Sequence, residues 1–348
     1  MSGREPGTLG EWLSAGGPEG DVVMSTRIRL ARNVADYPFL GRIDERRKAA
    51  LERELREKLG ACLDAPVYHD LEAATPVDRQ CLVEGHVISR DLAQGRGARG
   101  VAVGPGGVLS VMVNEEDHLR VQVLRAGLAP DAAWSEILAA DRRLEGAIDF
   151  AFSPELGYLT ACPTNVGTAM RVSVMLHLPA LVWTKQVDKV LHAVSKINLA
   201  VRGFYGEGTQ ALGDFYQISN QATLGRTEED TLRAVADYVP HIVAFERNWR
   251  RKLLAEHRAG IEDRIWRAYG MLERARLLTS EEAMEYLSAL RVGVDLGLID
   301  GVTLAAVNEL FILTQPAHLQ KLAGRELDTP ARDEHRAAFV RGKLARLN

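Results

Sequence analysis

Hydrophobic and polar residues alternate along three segments of the chain, residues 21–32, 119–124 and 171–176. A period of two predicts strands with one buried face and one open face. The positions predicted to share an open face are Ser25, Arg27, Arg29, Arg120, Gln122, Arg171, Ser173 and Met175. The positions predicted to be covered include Val22, Met24, Thr26, Ile28, Leu30, Val172 and Val174. Arginines are therefore expected to stand on an open sheet face.

Helical spacing dominates elsewhere. Leucines at every fourth position predict an amphipathic helix over residues 44–59. A second helix is predicted over residues 228–257, where Pro240 should kink or split it. Thr279 and Glu282 form a predicted capping box. Beyond residue 260 we expect a separate unit with helices over residues 261–278, 279–290, 302–313 and 316–322.

These patterns predict an α+β fold, in which an antiparallel sheet is flanked by helices and followed by an all-helical domain. We expect an N-terminal extension over residues 1–20, a catalytic domain over residues 21–246 and a helical regulatory or oligomerisation domain over residues 247–348. Apolar helices in the last domain suggest a homodimer or a higher homo-oligomer.

The composition is that of a folded protein, because 46% of the 348 residues are hydrophobic and 26% are charged. A net charge of -4 argues against binding nucleic acid through overall charge. No secretory signal and no membrane span are expected. Three cysteines without metal-ligand spacing, Cys62, Cys81 and Cys162, fit a reducing compartment, so we expect a cytoplasmic protein.

The arginines on the open face are candidates for binding the phosphates of a nucleotide through bidentate bonds. Surface charge or structural ion pairing is the alternative for any one of them. The chain lacks a Gly-x-x-x-x-Gly-Lys-Ser/Thr loop and a protein-kinase glycine-rich signature, so a nucleotide site would be of another type.

Three carboxylates, Glu115, Glu116 and Glu207, are candidates for holding a cation. A guanidinium is planar with paired donors, and a carboxylate on its flank can orient it and take its proton. Cys162 would add a thiolate against the guanidinium. His86, Asp117 and His118 are candidates for lining the nucleotide site. The alternative is a solvated turn for Glu115 and Glu116, a flexible loop for Glu207 and a lone buried cysteine for Cys162.

Four motifs in this order resemble the phosphagen (guanidino) kinase family. They are Ser25-Thr26-Arg27-Ile28-Arg29, residues 114–120, residues 162–168 and Arg171-Val172-Ser173-Val174-Met175. The resemblance covers roughly residues 21–246 and implies ATP and Mg2+ as cofactors. Ala169 departs from the family, which commonly has glycine there.

The resemblance also implies roles for individual residues. Arg27, Arg29, Arg120, Arg171 and Arg202 would bind phosphates, with His86 near the nucleotide. Glu116 would be the base, Glu207 its opposing partner and Cys162 the thiolate, and Glu115 would reach Mg2+ through water. The nucleotide-binding segments it implies are Ser25 to Arg29, Arg171 to Met175 and Arg202-Gly203-Phe204-Tyr205-Gly206-Glu207.

The arginine-bearing strand begins after only about twenty residues, whereas small-molecule guanidino kinases have a large N-terminal domain before it. With its extra C-terminal helices, the chain is similar to the bacterial protein arginine kinase branch, the McsB type. This resemblance implies phosphorylation of arginine within proteins, and a regulatory phosphoarginine pocket formed by Arg332, Asp333, Arg336 and Ala337.

By resemblance, the expected partners are a zinc-binding activator, a heat-shock repressor and the Clp unfoldase, and phosphorylation would mark proteins for Clp-dependent degradation. Two other hypotheses remain open at this stage. One is a kinase for free arginine or another small guanidino compound. The other is a non-catalytic module that binds phosphoarginine or a repressor.

Overall fold

The structure is a computed structural model that describes residues 10–197, 199–203 and 212–347, without the side chain of Arg202. Its strands are β1 (Val23–Arg32), β2 (Val67–Asp70), β3 (Gly100–Val103), β4 (Leu109–Val113), β5 (Leu119–Ala126), β6 (Phe152–Ser153), β7 (Gly157–Tyr158), β8 (Met170–His177), β9 (Leu199–Gly203) and β10 (Phe215–Asn220). Its helices are α1 (Glu45–Cys62), α2 (Pro76–Glu84), α3 (Arg90–Gln94), α4 (Pro130–Glu145), α5 (Pro179–Trp183), α6 (Val187–Ser195), α7 (Glu228–Glu256), α8 (Arg258–Arg274), α9 (Ser280–Asp295), α10 (Leu304–Leu313), α11 (Pro316–Ala323) and α12 (Thr329–Leu344).

In the described residues, eight strands form one sheet in the order β2-β3-β4-β5-β1-β8-β10-β9. Every neighbouring pair is antiparallel. The predicted α+β class with an antiparallel sheet and a helical C-terminal region is confirmed. β1 lies between β5 and β8, so the three strands with alternating patterns are neighbours at the centre of the sheet.

One face of the sheet is covered by α1, α4 and α7. The apolar positions of the central strands, such as Ile28, Val121 and Val172, are fully buried there against Leu55 and Ile137. This is the face that the alternation predicted to be covered. Burial of this face fixes the register that turns the arginines to the opposite face.

The C-terminal helices α8, α9, α10 and α12 form a second core around Ile265, Leu287 and Phe311. This core extends onto one end of the opposite sheet face, where it takes in Leu124 and Met175. The rest of that face, which bears the arginines, is not part of either core.

Met24 lies in this second core, although the alternation predicted it on the side of Ile28. The register between β1 and β8 shifts between Val23 and Ser25. Such an irregularity inserts an extra residue and redirects the side chains that precede it. A bulge of this kind is invisible to a count of alternate positions.

The helices largely follow their predicted spacing. The capping box of Thr279 and Glu282 opens α9. Pro240 does not split α7, which is a single helix from Glu228 to Glu256. Pro240 removes one backbone hydrogen bond, but Val235, Val239 and Val243 on both sides of it are buried in one core and hold the two halves together. The predicted division at residue 246 falls inside α7, and the division into domains stays a prediction.

Candidate active site

The open sheet face brings the predicted arginines together. Arg29 on β1 stands opposite Arg171 on β8 and opposite Gln122 on β5. Directly opposed residues of an antiparallel pair have Cβ atoms about 5 Å apart. Arg27 lies on the same face two residues before Arg29 on β1, and Arg120 lies there two residues before Gln122 on β5. Four guanidinium groups therefore share a small area of the sheet.

Arg29 is the centre of this cluster, and its Nε atom is buried without a hydrogen-bond partner among the described residues. Burial lowers the pKa of Arg29 well below its usual value, and the charges of Arg27, Arg120 and Arg171 lower it further. Clustered cations form a site for a polyanion. A nucleoside triphosphate matches this charge.

Arg27 is held by its neighbours. Its Nη2 donates to Gln217 Oε1 at 2.7 Å, and its Nε donates to Ser173 Oγ at 3.4 Å. Beside it lies a small cleft. The cleft is lined by Trp12, Ser25, Arg27, His86, Leu124, Ser173, Met175 and Gln217. Apolar walls beside a phosphate-sized cluster of cations are suited to a nucleotide base.

His86 and Trp12 are the aromatic walls of this cleft, with their rings 5.4 Å apart in an edge-to-face arrangement. Burial lowers the pKa of His86 to about 3, with a further contribution from the charges of Arg27 and Arg90. The imidazole is therefore neutral at physiological pH. Its backbone has a left-handed φ of 59°, and Gln122 Nε2 donates to its carbonyl oxygen at 2.8 Å.

The acidic run forms the tight turn between β4 and β5, where Asn114 has a left-handed φ of 58°. Asn114 stabilises the turn because its side-chain amide donates to the carbonyl oxygens of Ala98 and Lys48. Glu115 Oε1 accepts from Arg120 Nη1 at 2.6 Å and from Ser89 Oγ at 2.6 Å. The turn thus ends beside the arginine cluster.

Glu115 and Glu116 differ in exposure. The side chain of Glu115 is 1% exposed, whereas that of Glu116 is 44% exposed and makes a longer contact of 3.2 Å to Arg120 Nη2. Burial raises the pKa of Glu116, against the lowering effect of Arg120. Glu116 is the carboxylate that an incoming cation can reach, and its raised pKa makes it a better base than an ordinary glutamate.

Asp117 and His118 do not line the cleft, contrary to the expectation from sequence. Asp117 is fully buried, and its Oδ1 accepts from Asn33 Nδ2 at 2.6 Å and from Ala161 N at 2.7 Å. His118 Nδ1 accepts from Val34 N at 3.0 Å. These hydrogen bonds hold both residues inside the protein, just before β5 begins at Leu119. Asp117 nevertheless joins the acidic turn to the residue before Cys162.

Cys162 lies at the start of a short turn, with extended backbone at φ −94° and ψ 121°. Its Sγ is 2.9 Å from Thr164 Oγ1, and it is half-buried. Thr223 Oγ1 donates to the carbonyl oxygens of Thr164 and Val166 and so fixes the turn. The bond from Ala161 N to Asp117 Oδ1 joins the backbone next to Cys162 to the residue that follows Glu116.

Several residues of the predicted nucleotide segments point away from the cleft. Ile28, Val172 and Val174 are fully buried in the core on the opposite face. Thr26 donates to Gly127 O at 2.7 Å and accepts from Ala129 N at 3.0 Å, so its hydroxyl is structural. Gly203 pairs with Tyr216 at the end of β9. The side chain of Arg202 and the predicted residues Phe204, Tyr205, Gly206 and Glu207 lie outside the described residues.

A magnesium ion could take one ligand here. Mg2+ usually binds one or two protein carboxylates together with substrate phosphates and water. Glu115 lies beside the arginine cluster that would hold those phosphates, so it fits that donor set as a carboxylate that reaches the ion through water. Within the described ranges, no group of three or more His, Cys, Asp or Glu side chains is arranged to hold a metal without phosphates.

A family model for the "ATP:guanido phosphotransferase, C-terminal catalytic domain" matches residues 50–249, which is more than half of the chain. The chain belongs to the ATP:guanido phosphotransferase family. It is a kinase, and the predicted resemblance to phosphagen kinases is confirmed. A second model, "Protein-arginine kinase McsB C-terminal domain", matches residues 258–348.

Curated relatives match along nearly the whole chain. The protein-arginine kinase of Symbiobacterium thermophilum is 47% identical over 340 residues, which cover 96% of each chain. That of Desulforamulus reducens is 46% identical over 347 residues, which cover 97% of this chain and 96% of the relative. The likeness therefore includes the C-terminal helices.

Solved structures share the catalytic part. The duplicated taurocyamine kinase of Schistosoma mansoni with bound transition state analog components has a TM-score of 0.61 and 29% identity, over 67% of this chain and 34% of that one. Lombricine kinase has a TM-score of 0.58 and 26% identity, over 67% of this chain and 68% of that one.

In this kinase, the predicted phosphoarginine residues lie on α12, where their groups already have protein partners. Arg336 is 1% exposed, and it donates to the carbonyl oxygens of Thr314 at 2.9 Å and Leu278 at 2.6 Å, and to Asp333 Oδ1 at 2.6 Å. Arg332 donates to Leu327 O at 3.0 Å, and Ala337 is buried in the C-terminal core. Their binding of phosphoarginine stays a prediction.

Three residues of the cleft, Trp12, Leu124 and Gln217, were not predicted from the sequence. Trp12 lies in a short 3-10 helix, Glu11–Leu13, within the segment taken as an extension. A tryptophan in a polar, glycine-rich segment was the available signal. Gln217 lies on β10, where Gln217 and Ser219 alternate with the buried Ile218, and the same period of two would have found it.

No helix in the described part of the chain is both long and apolar enough to cross a membrane.

Proposed function

We propose that this enzyme transfers the γ-phosphoryl group of ATP to the guanidinium of arginine residues in proteins. The observation that carries the proposal is the arginine face on β1, β5 and β8, which ends at a partly exposed carboxylate, Glu116. Such a site binds a polyanion at one end and a cation at the other. Protein arginine as the acceptor is supported by the names of relatives that match over 96% of their own length.

In the proposed reaction, a guanidinium nitrogen attacks the γ-phosphorus while the bond from that phosphorus to the β,γ-bridging oxygen breaks and ADP leaves. The arginine cluster holds the phosphates in line, and catalysis consists mainly of positioning and charge neutralisation. Bound Mg2+ would neutralise phosphate charge, and Glu115 would reach it through water.

Glu116 takes the proton that the attacking nitrogen loses. Free guanidinium has a pKa above 12, so a carboxylate can remove the proton only as the new bond to phosphorus forms. Cys162 would polarise the guanidinium, and the bond that ties the residue before it to Asp117 of the acidic turn supports this role. Glu207 would face the guanidinium from the other side.

Cellular roles belong to the same proposal and rest on resemblance. They are marking of proteins for Clp-dependent degradation, action on a heat-shock repressor, response to a zinc-binding activator, regulation through phosphoarginine and assembly into homo-oligomers. A cytoplasmic location is supported by three free thiols, Cys62, Cys81 and Cys162.

The test is incubation of the full chain with MgATP and an arginine-rich protein, followed by mass spectrometry under conditions that preserve acid-labile phosphoarginine. We expect phosphoarginine with the wild type and at least a hundredfold less with Glu116→Gln, which keeps the size of the side chain but cannot accept the proton. Cys162→Ala should also be severely impaired. Phosphate on serine or threonine, or none on the protein, would contradict the proposal.

A further inference from the structure

Both aromatic walls of the cleft are attached to the C-terminal helices. Trp12 and Leu13 are buried in the C-terminal core. Asn308 on α10 donates from Nδ2 to the carbonyl oxygen of Leu13 at 3.2 Å. The residue that follows Trp12 is therefore fixed by a helix outside the sheet.

The second wall, His86, follows α2, which is joined to α11 by a buried carboxylate. Glu84 is 2% exposed. Its Oε1 accepts from Ala317 N at 2.9 Å, and its Oε2 accepts from His318 N at 3.0 Å. His318 Nδ1 lies 2.8 Å from the same Oε2.

Glu84 takes the place of an N-cap for α11. The residue at the N-cap position, Gln315, makes no capping bond with its own side chain. The free N–H groups at a helix start need acceptors, and the positive end of the helix favours a carboxylate there. A buried carboxylate is costly unless such donors surround it. The start of α11 therefore needs the carboxylate as an acceptor, and the buried carboxylate needs the N–H groups as donors.

The position of Glu84 determines the position of His86. Only Gly85 separates them, and His86 N donates to Val83 O at 3.0 Å, which closes a tight turn onto the end of α2. The left-handed backbone of His86 leaves this turn little freedom. On its other side, the His86 carbonyl is held by Gln122 of the sheet.

We propose that the C-terminal helices set the affinity of the enzyme for its nucleotide, with Glu84 as the positioning residue that holds the His86 wall. This inference rests on the proposed binding of the nucleotide base in the cleft. It predicts that α11 acts on nucleotide binding although none of its residues lines the cleft.

The same two helices share a second contact that supplies a matched control. Lys321 on α11 pairs with Asp78 on α2, and the side chains are 47% and 36% exposed. This pair lies away from the His86 turn, at the other end of α2. Loss of an exposed pair should change stability little. Lys321→Gln therefore loosens the same helix contact without touching the anchor of His86.

The experiment compares Glu84→Gln, Lys321→Gln and the wild type as full chains, by calorimetric titration with MgADP and by steady-state kinetics with MgATP. Glutamine leaves one backbone N–H of α11 facing an amide N–H. We therefore expect Kd and KM to rise roughly tenfold and kcat to stay within about twofold of the wild type. Lys321→Gln should match the wild type. Circular dichroism confirms that each variant is folded.

An unchanged Kd in folded Glu84→Gln, or equal losses in both variants, would overturn the inference. Should Glu84→Gln fail to fold, His318→Ala removes the buried imidazole, and with it the side-chain donor to Glu84, but keeps both backbone donors; it should weaken MgADP binding by a smaller factor. An unchanged Kd in that variant counts equally against the inference. Failure of the wild type to bind MgADP would instead refute the proposed function, and the inference with it.

Discussion

Replacement of Arg29 by methionine should stabilise the nucleotide-free protein and weaken nucleotide binding. Arg29 stands among Arg27, Arg120 and Arg171, and its Nε lacks a hydrogen-bond partner within the described residues. Methionine retains much of the aliphatic length without the charge. The change removes repulsion in the free protein and a phosphate donor in the complex, so the two effects have opposite signs.

Their magnitudes follow from the sheet geometry. Two unit charges about 7 Å apart repel by roughly 2 kcal/mol at an effective dielectric constant of about 20. Glu115 offsets part of this repulsion and salt screens more of it. We therefore expect a gain of about 1 kcal/mol in the free energy of unfolding. A charge-assisted bond contributes about 1.5–3 kcal/mol, so MgADP affinity should fall roughly 10- to 150-fold.

The assay is urea unfolding followed by tryptophan fluorescence, together with calorimetric titration of MgADP. Arg143→Met serves as the control, because Arg143 makes a surface pair with Asp64 at 2.9 Å, with side chains 41% and 82% exposed. It should change neither quantity appreciably. The reasoning fails if Arg29→Met destabilises the free protein, or if it binds MgADP as tightly as the wild type.

Three further predictions concern single side chains. Burial raises the pKa of Glu116, and the base must be ionised to accept a proton. As the pH is lowered, kcat should therefore fall at a higher pH than expected for an ordinary glutamate. If the residual activity of Glu116→Gln falls at the same acidic pH, Glu116 is not the base. Asp117→Ala should lower the free energy of unfolding by about 2–5 kcal/mol, because the buried donors of Asn33 and Ala161 lose their acceptor. Asp117→Asn should lower it much less, and equal losses of the two variants in urea unfolding would contradict this. Ala169 has a left-handed φ of 51°, so Ala169→Gly should gain about 0.5 kcal/mol in the same assay, and a loss would show that the position is not strained.

The arginine face could be predicted from sequence because a period of two is a local property. Arg27 and Arg29 occupy alternate positions of one strand, and the buried residues between them fix the face. The position of Cys162 relative to the acidic turn could not be predicted, because Asp117 and Ala161 meet only in the folded chain.

Contacts between distant segments account for the other surprises. Trp12 becomes a wall of the cleft because Leu13 is held by Asn308, almost three hundred residues later in the chain. Glu84 has the sequence context of an ordinary surface helix, and its burial follows from α11. Such pairings depend on how separate elements pack, which hydrophobic periodicity does not specify.

The most direct test of the central claim is a competition between two acceptors in one reaction with MgATP, an arginine-rich unfolded protein and an excess of free arginine. Phosphoarginine in each pool is quantified by mass spectrometry under mild conditions. We predict that phosphate accumulates on protein arginine and that free arginine neither accepts it nor slows the transfer. Phosphorylation of free arginine in preference to protein would contradict the account and identify a small-molecule guanidino kinase.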